Sequence, residues 1–510
     1  MRPLVAALVV LLLALGCGQE TRTRLRARLG DTEAQLALAG QLANGAGGAR
    51  DTAGAALWYR KAAEQGNAEA QLALAKLLES ESALALEPGE ALRWLLAAAE
   101  SGAADAQLRV AEVYARGIGV PADPAAALGW YRKAAEQGVV AAQAELARRY
   151  ETGDDAPVDA SEAERWLRSA AAGGDAQAQL RLGLESAEGR GVPRDLGEAV
   201  RWLRPAAESG LVEAQFRLAL LLRNGVGVPR DKAAAARWYR AAAEQGHVRS
   251  AFDLGALYQQ GGVPPQNEMQ ASAWASGVGG PEVEAAKWYR RAAEQGFAPA
   301  QAGLGFLYAQ GKGVPKDPAQ ALEWFRKAAA QGDASGQANL AALYASGQGV
   351  ALDEAEAVKW YRLAALQGNV VAQVSLAVAL ADGRGTPRNE TEAISWYRRA
   401  AGQGNPEAQL GLGAMLATGR GVTRDDAEAV RWYRLAAEQG QAMAQASLGA
   451  CYLYGSGVEK DLVLAHVWLT RSAAGGFDRV KPVLEQLDKL LSPTERARAK
   501  QLVEQPLAAH

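Results

Sequence analysis

Residues able to do chemistry are few in this sequence. Histidine occurs three times in 510 residues, at His247, His466 and His510. None has a second histidine one helical turn away, so a metal-binding pair of the H-E-x-x-H type is absent. Cysteine occurs twice, at Cys17 and Cys451. There is no G-x-S-x-G to seat a nucleophilic serine and no S-x-x-K. Glycine-rich turns such as Gly311-Lys312-Gly313 lack the spacing and the following Ser or Thr of a phosphate loop. Charged residues make up 22% of the chain and the formal net charge is −2. That leaves no basic surplus for a nucleic-acid backbone. We expect no enzyme, no metal and no cofactor.

Cys17 has a context of its own. Arg2 precedes an apolar run, Leu4 to Leu15, of twelve residues. This is too short to span a bilayer as a helix but suits the apolar core of an export signal. The run ends Ala14-Leu15-Gly16-Cys17. That ending resembles the lipobox of bacterial lipoproteins, with Ala14 where the pattern prefers Leu; a plain signal peptide cleaved elsewhere is the alternative. The resemblance implies that residues 1–16 are removed and that Cys17 is acylated. Two or more acyl chains anchor stably where one does not. Gly18, in place of the Asp that retains enteric lipoproteins in the inner membrane, implies the outer membrane, facing the periplasm. A soluble periplasmic or secreted protein is the other possibility. With Cys17 acylated no intrachain disulfide can form.

The rest of the sequence reports on scaffolding. Tryptophan recurs every 36 residues at Trp58, Trp94, Trp130, Trp166, Trp202 and Trp238, and again at Trp288, Trp324, Trp360, Trp396, Trp432 and Trp468. The interval from Trp238 to Trp288 is 50, one period plus 14. Each period reads as two helices. From Asn405 to Gly440, Asn405 caps a first helix carrying Ala408, Leu412, Met415 and Leu416 at helical spacing. Gly419-Arg420-Gly421 stops it. Asp425 begins a second helix, with Glu428 placed as in a capping box, and Gly440 ends it. Glycine lies eight residues after every Trp of the series, and Asp or Asn seven before all but two, where Glu87 and Pro281 stand. Paired alanines one turn after the Trp allow close helix approach, and the Trp is expected to fill the space between hairpins. A Gln column (Gln35, Gln71 and their equivalents) and an Arg column (Arg60, Arg132 and theirs) belong to the repeat itself. Arg60 and Arg132 are placed to pair with Glu64 and Glu136 on a solvated helix face. Cys451 aligns with Leu307 and Leu343, as a buried small hydrophobe.

These residues resemble the Sel-1-like repeat family, relatives of the tetratricopeptide repeat. The match is carried by the pattern from Gly303-Leu304-Gly305-Phe306-Leu307-Tyr308 through Trp324-Phe325-Arg326-Lys327-Ala328-Ala329 to Gln331-Gly332. It covers residues 31–476. The resemblance implies an all-α fold, an α-solenoid of twelve helix-turn-helix repeats wound as a right-handed superhelix, with a concave face that binds other proteins or peptides. The cysteine-rich, disulfide-built branch of that family has no counterpart here.

Where the period breaks, alternatives stay open. Residues 17–30, with Arg22, Arg24, Arg26 and Arg28, read as a tether, either a solvated linker or a patch drawn to anionic lipid. In the second repeat Glu79-Ser80-Glu81-Ser82-Ala83 replaces the Gly-x-Gly turn, which would lengthen the first helix. Residues 477–510 read as two helices that cap the stack or dock a partner. The insertion at 262–275 lengthens the turn or second helix of repeat seven. Either Trp274 is buried locally, or the insertion binds a partner through Gln266, Asn267, Met269 and Trp274. The expected function is a non-enzymatic scaffold, lipid-anchored in the envelope. Alternatives are a scaffold for exopolysaccharide export or a cell-wall or carbohydrate-directed protein.

Overall fold

The structure is a computed structural model that describes residues 19–46, 48–81, 84–87, 89–154, 156–190, 193–277 and 279–505. The expected signal segment 1–16, the expected acylation site Cys17, and His510 lie outside the described residues. Among the described residues the chain forms twenty-eight α-helices and no strand. It divides into two compact units, 1–238 and 239–510, the division falling inside helix Lys232–Glu244. Each unit is an α-solenoid of antiparallel hairpins.

One repeat of the second unit shows how sequence becomes structure. Asn369 stands at the N-terminus of helix Val370–Asp382 and its side chain accepts the Ala372 N–H at 2.9 Å. This satisfies one of the amides that a helix start leaves orphaned. Gly383 ends the helix at φ 74°, a left-handed conformation costing a β-carbon-bearing residue about 1 kcal/mol. Two residues on, Gly385 sits at φ 66°, where a β-carbon would overlap the Glu354 carbonyl of the preceding repeat. The Asn389 N–H donates to Leu380 O at 2.8 Å, closing the turn, and the Asn389 side chain caps helix Glu390–Gly402. Alanines 400 and 401 are buried against the next hairpin.

In most second helices the deepest large side chain is the residue after the Trp; in three the Trp itself is buried at least as deeply, at Trp166, Trp288 and Trp396. Tyr239 and Phe325 are under 2% exposed, while most of the repeat tryptophans are only half-buried. The aromatic at Trp+1 points between the two helices of the hairpin and the next first helix. Where a Glu stands four residues before the Trp, the indole N–H donates to its carboxylate, as Trp360 does to Glu356 at 2.9 Å. The expectation that the Trp fills the inter-hairpin space is corrected for the half-buried tryptophans and not for the buried Trp166, Trp288 and Trp396.

In the first unit, residues 19–28, expected to form a tether, are instead helix Gln19–Arg28. Its Ala27 packs with Ala34 and Leu38, and Gln35 Nε2 donates to Ala27 O at 3.0 Å, so this helix stands where a preceding second helix would. The second repeat keeps its first helix at thirteen residues, Ala68–Ser80, and shortens its second, Glu90–Glu100. Glu87 does not cap that helix; Gly89 precedes it with no side-chain cap.

In the second unit, the insertion forms a separate short helix, Glu268–Ala275, ahead of helix Pro281–Glu294. At the C-terminus, helices Lys481–Leu490 and Pro493–Glu504 pack on Leu462–Ala474: Val463 and Val467 meet Leu491 and Ala499, and Leu469 meets Val480 and Leu487. Arg471 donates to Leu502 O at 2.9 Å, and His466 Nε2 lies 3.0 Å from Asp488 Oδ1. Ser492 and Glu495 form a reciprocal capping box.

Candidate interaction surface

The repeated polar residues turn inward. Each of the eleven column glutamines donates from Nε2 to the backbone carbonyl eight residues earlier, from Gln35 to Ala27 O through Gln445 to Ala437 O. Each bond ties a first helix to the second helix before it. In six repeats the Gln before the terminal glycine donates in turn to the column Gln, as Gln331 does to Gln301 Oε1 at 2.8 Å. Where Ser101, Gly173, Ser209 or Gly475 stands instead, the Oε1 of Gln71, Gln143, Gln179 or Gln445 is buried without a partner.

The arginine column is also spoken for. Arg60 does not turn to Glu64; its Nε donates to Glu90 Oε1 of the next repeat at 2.7 Å, and that carboxylate also accepts from Trp94 Nε1. Arg168 and Arg398 reach Glu198 and Glu428 in the same way. Where the next first helix carries a Tyr, the arginine takes its hydroxyl instead: Arg132 with Tyr150, Arg290 with Tyr308 at 2.7 Å, Arg434 with Tyr452 at 2.8 Å. Glu428 is no capping-box partner, because the Asp425 N–H is bonded to Leu416 O; its carboxylate accepts from Trp432. Glu90 is the most enclosed of these carboxylates. The hydrogen bond from Arg60, with those from Leu86 N–H and Trp94, outweighs its burial and holds its pKa down at about 2.

The exposed face of the first helices differs between the units. The six first helices of the first unit contain eighteen charged residues. Many pair with one another: Arg109 with Glu79 at 2.5 Å, Arg148 with Glu145 at 2.8 Å, Arg181 with Glu151 at 2.5 Å and Glu185 at 2.9 Å. The last five first helices of the second unit, from Ala298–Gln310 to Ala442–Tyr454, contain two, Asp382 and Glu407. Their exposed residues include Phe306, Val371, Met443 and Tyr454.

Two clefts at equivalent places, two repeats apart, open beside this face, and each has a carboxylate and an arginine in its wall. One, of about 230 Å³, lies among Ala345, Glu354, Tyr361, Val374, Ser375 and Arg384. The other, of about 260 Å³, lies among Ala417, Arg424, Asp426, Tyr433, Ser447 and Cys451. Burial pushes the Cys451 thiol up to about 11, with Asp426 adding to it, which favours the protonated thiol at neutral pH. It is half-buried at the cleft wall rather than sealed in the core. A wider hollow of about 590 Å³ in the first unit is rimmed by Lys76, Glu79, Asp105 and Arg109.

The insertion residues singled out from the sequence have separate fates. Asn267 caps the short helix, its Oδ1 accepting Gln270 N–H at 2.8 Å. The Gln266 N–H donates to Gln270 Oε1 at 2.6 Å, and its side chain to Pro264 O. Trp274 is half-buried with its ring edge-on to Tyr258 at 6.3 Å. Met269 projects into solvent, 83% exposed. The uncharged face and the clefts beside it were not singled out from the sequence; the absence of Lys and Arg from the first helices after residue 298 was the available signal. Among the described residues no group of three or more His, Cys, Asp and Glu could hold a metal ion, and no helix is long and apolar enough to cross a membrane.

The family model described as the Sel1 repeat matches residues 32–67, 68–102, 104–139, 140–175, 176–211, 212–247, 248–276, 281–297, 298–333, 334–369, 370–405, 406–441 and 442–477. The segments 248–276 and 281–297 are the two parts of repeat seven, on either side of the end of the insertion. Among solved structures, the chain is similar to a protective antigen present in uropathogenic Escherichia coli strains and displaying an SLR fold. The two are 33% identical, 96% of this chain and 94% of that one are covered, and the TM-score is 0.64. It is also similar to a Sel1 repeat protein from Oxalobacter formigenes, at 29% identity over 70% of this chain and 89% of that one, with a TM-score of 0.34. No curated protein sequence matches the chain.

Proposed function

The chain belongs to the Sel1 repeat family, and on that premise we propose that it is a non-enzymatic scaffold holding partner proteins or peptides along the inner face built by its first helices. Proteins of this repeat type are generally interaction scaffolds. One observation carries the reading here: the residues that recur are bonded inside the stack, while the residues on the first-helix face differ from repeat to repeat. A fixed frame with a variable face lets partner choice change without disturbing the fold.

Anchoring belongs to the same proposal. Acylation of Cys17 would tether the array at the outer membrane, facing the periplasm, and the apolar run Leu4 to Leu15 with Ala14-Leu15-Gly16-Cys17 supports this. Of the insertion residues, Met269 is the one whose side chain is presented for contact; Gln266, Asn267 and Trp274 would support it.

Site-specific photo-crosslinking in cells tests the scaffold reading. A crosslinker at Val371 or Met443, on the first helices, is expected to trap discrete protein adducts. One at exposed Lys359, on a second helix, is not. Equal trapping at both, or none at either, would overturn the assignment of the face. Fractionation of a Cys17→Ser variant tests the anchor: the protein should leave the membrane pellet, and retention there would refute acylation as the tether.

A further inference from the structure

We propose that helix Gln19–Arg28 is a membrane-contact element, lying on anionic lipid headgroups and seating the first repeat directly on the bilayer. This deepens the anchoring part of the proposed function and rests on it. Cys17 stands two residues before Gln19, so the helix begins within about 7 Å of the proposed acylation site. The helix is no loose leash. Ala27 is 1% exposed and packs with Ala34 and Leu38 of the first repeat. Gln35 Nε2 donates to Ala27 O at 3.0 Å, and the Asp31 N–H donates to Arg26 O at 3.1 Å. Acyl chains on Cys17 therefore hold a fixed part of the first repeat at headgroup depth.

The side chains of the helix suit that position. Arg22 and Arg26 form one row and Arg24 and Arg28 another, on either side of the buried Ala27. Opposite Ala27, between the rows, lie Leu25, half-buried, and Leu29, 49% exposed. Leu29 continues the helix, its N–H donating to Leu25 O at 3.1 Å. An apolar strip flanked by long cationic side chains is the pattern of a helix lying in the headgroup layer: the stems run along the lipid and the guanidinium groups meet phosphate. All four arginines are exposed. Arg24 meets Glu20 at 2.7 Å and Arg26 meets Asp31 at 2.6 Å, but both pairs lie at the surface, where such contacts exchange readily for another anion. The helix holds four Arg and one Glu, net +3. The chain holds 55 Lys and Arg against 57 Asp and Glu; without Arg2 and this helix, residues 29–510 hold 50 against 56, net −6. An anionic surface thus attracts the helix, and the remainder gains no such attraction. The anchor two residues away makes that surface lipid rather than an acidic protein.

The test holds residues 18–510, preceded by a hexahistidine, on vesicles through a nickel-chelating lipid. The tag stands in for the acyl chains, so the lipid contact is read independently of acylation. The vesicles are phosphatidylcholine alone or phosphatidylcholine with phosphatidylglycerol, and hydrogen exchange is followed at residues 19–30. We expect those amides to exchange about tenfold more slowly on the anionic vesicles, and the difference to vanish in about 0.5 M salt. Changing Arg22, Arg24, Arg26 and Arg28 together to Gln should abolish it, and changing them to Lys should keep it. The milder Arg22→Gln, Arg28→Gln variant leaves the Arg24–Glu20 and Arg26–Asp31 pairs in place and should reduce it. Unchanged protection of residues 32–44 shows that the first repeat is intact in each variant. Equal exchange on both vesicle types, or a difference that survives the Gln substitutions, would overturn the proposal. In cells a photo-crosslinker at Leu29 should trap phospholipid; discrete protein adducts there instead would assign the helix to a protein partner and refute the lipid contact. Three net charges do not by themselves hold a chain on a membrane. Retention of Cys17→Ser in the membrane pellet therefore refutes the anchor whatever the vesicles show, and failure on the vesicles refutes the lipid contact whatever the pellet shows.

Discussion

At the residue scale the repeat is a set of polar groups satisfying one another across helix boundaries. Glu90 is the clearest case because it is buried, with Arg60 beside it. Its pKa in the fold lies below the unfolded carboxylate value, so its contribution to stability is present above the unfolded pKa. It is lost as pH falls from about 4.5 toward 2. The shift corresponds to at most roughly 3 kcal/mol. Hydrogen exchange of residues 52–100 should show local opening between pH 5 and pH 3, and Glu90→Gln should flatten that dependence while lowering protection at neutral pH. If wild type and variant lose protection in parallel, the Arg60–Glu90 pair is not its source. The unpaired glutamines give a stabilising prediction. Ser209→Gln should supply a donor to Gln179 Oε1, as Gln331 does for Gln301, and raise stability by about 1 kcal/mol. A urea midpoint unchanged or lowered would count against the ladder as a source of stability.

At the element scale, the two glycines of each turn do different work. The first ends a helix in the left-handed region, which composition and position already announced. In some turns the second has a further role that only packing reveals. At Gly385 a β-carbon would collide with the Glu354 backbone of the preceding repeat, whereas at Gly119 it would meet nothing within 4 Å. Both sit at positive φ, 66° and 73°. Gly119→Ala should therefore show only the conformational penalty of about 1 kcal/mol. Gly385→Ala should add the displacement of one hairpin from the next and reach about 2–4 kcal/mol. Chemical denaturation of the two variants compares them directly, and equal losses would show that the close approach is not tight. The insertion is an element in its own right: Asn267 and Gln270 fix its short helix, so it is ordered by its own side chains.

At the scale of the whole molecule, helices contact their neighbours in sequence and little else, which is the quasi-one-dimensional arrangement of repeat proteins. Local changes should then stay local, and ends matter more than in a globular domain. Removal of residues 478–510 would uncover Val463, Val467 and Leu469. We expect such a chain to fray in helix Leu462–Ala474 and to self-associate, read by hydrogen exchange and by size-exclusion chromatography with light scattering. A monomer with undiminished protection there would show that the terminal helices do not seal the stack. The contrast between a charged first unit and an uncharged face in the second is likewise a property of many residues together. Each ion pair, such as Arg109 with Glu79, forms only because residues thirty apart are brought side by side by the repeat.

By itself the sequence determined the period, the two-helix repeat, its caps and its family resemblance, because these rest on spacing along one chain: Trp every 36 residues, Asp before and Gly after. Local rules of capping and left-handed glycine are enough to convert that spacing into helices. The tertiary structure decided what each recurring side chain touches. Gln301 could have been a solvated residue, Arg60 could have paired along its own helix, and Trp58 could have filled the core as easily as Tyr59. Hydrogen bonds between repeats settle these, and they depend on how hairpins stack, which no single 36-residue period contains. The clefts are of the same kind. Ala345 and Ser375 are unremarkable small residues until stacking sets them side by side, in the place where Glu79 and Arg109 meet in the other unit.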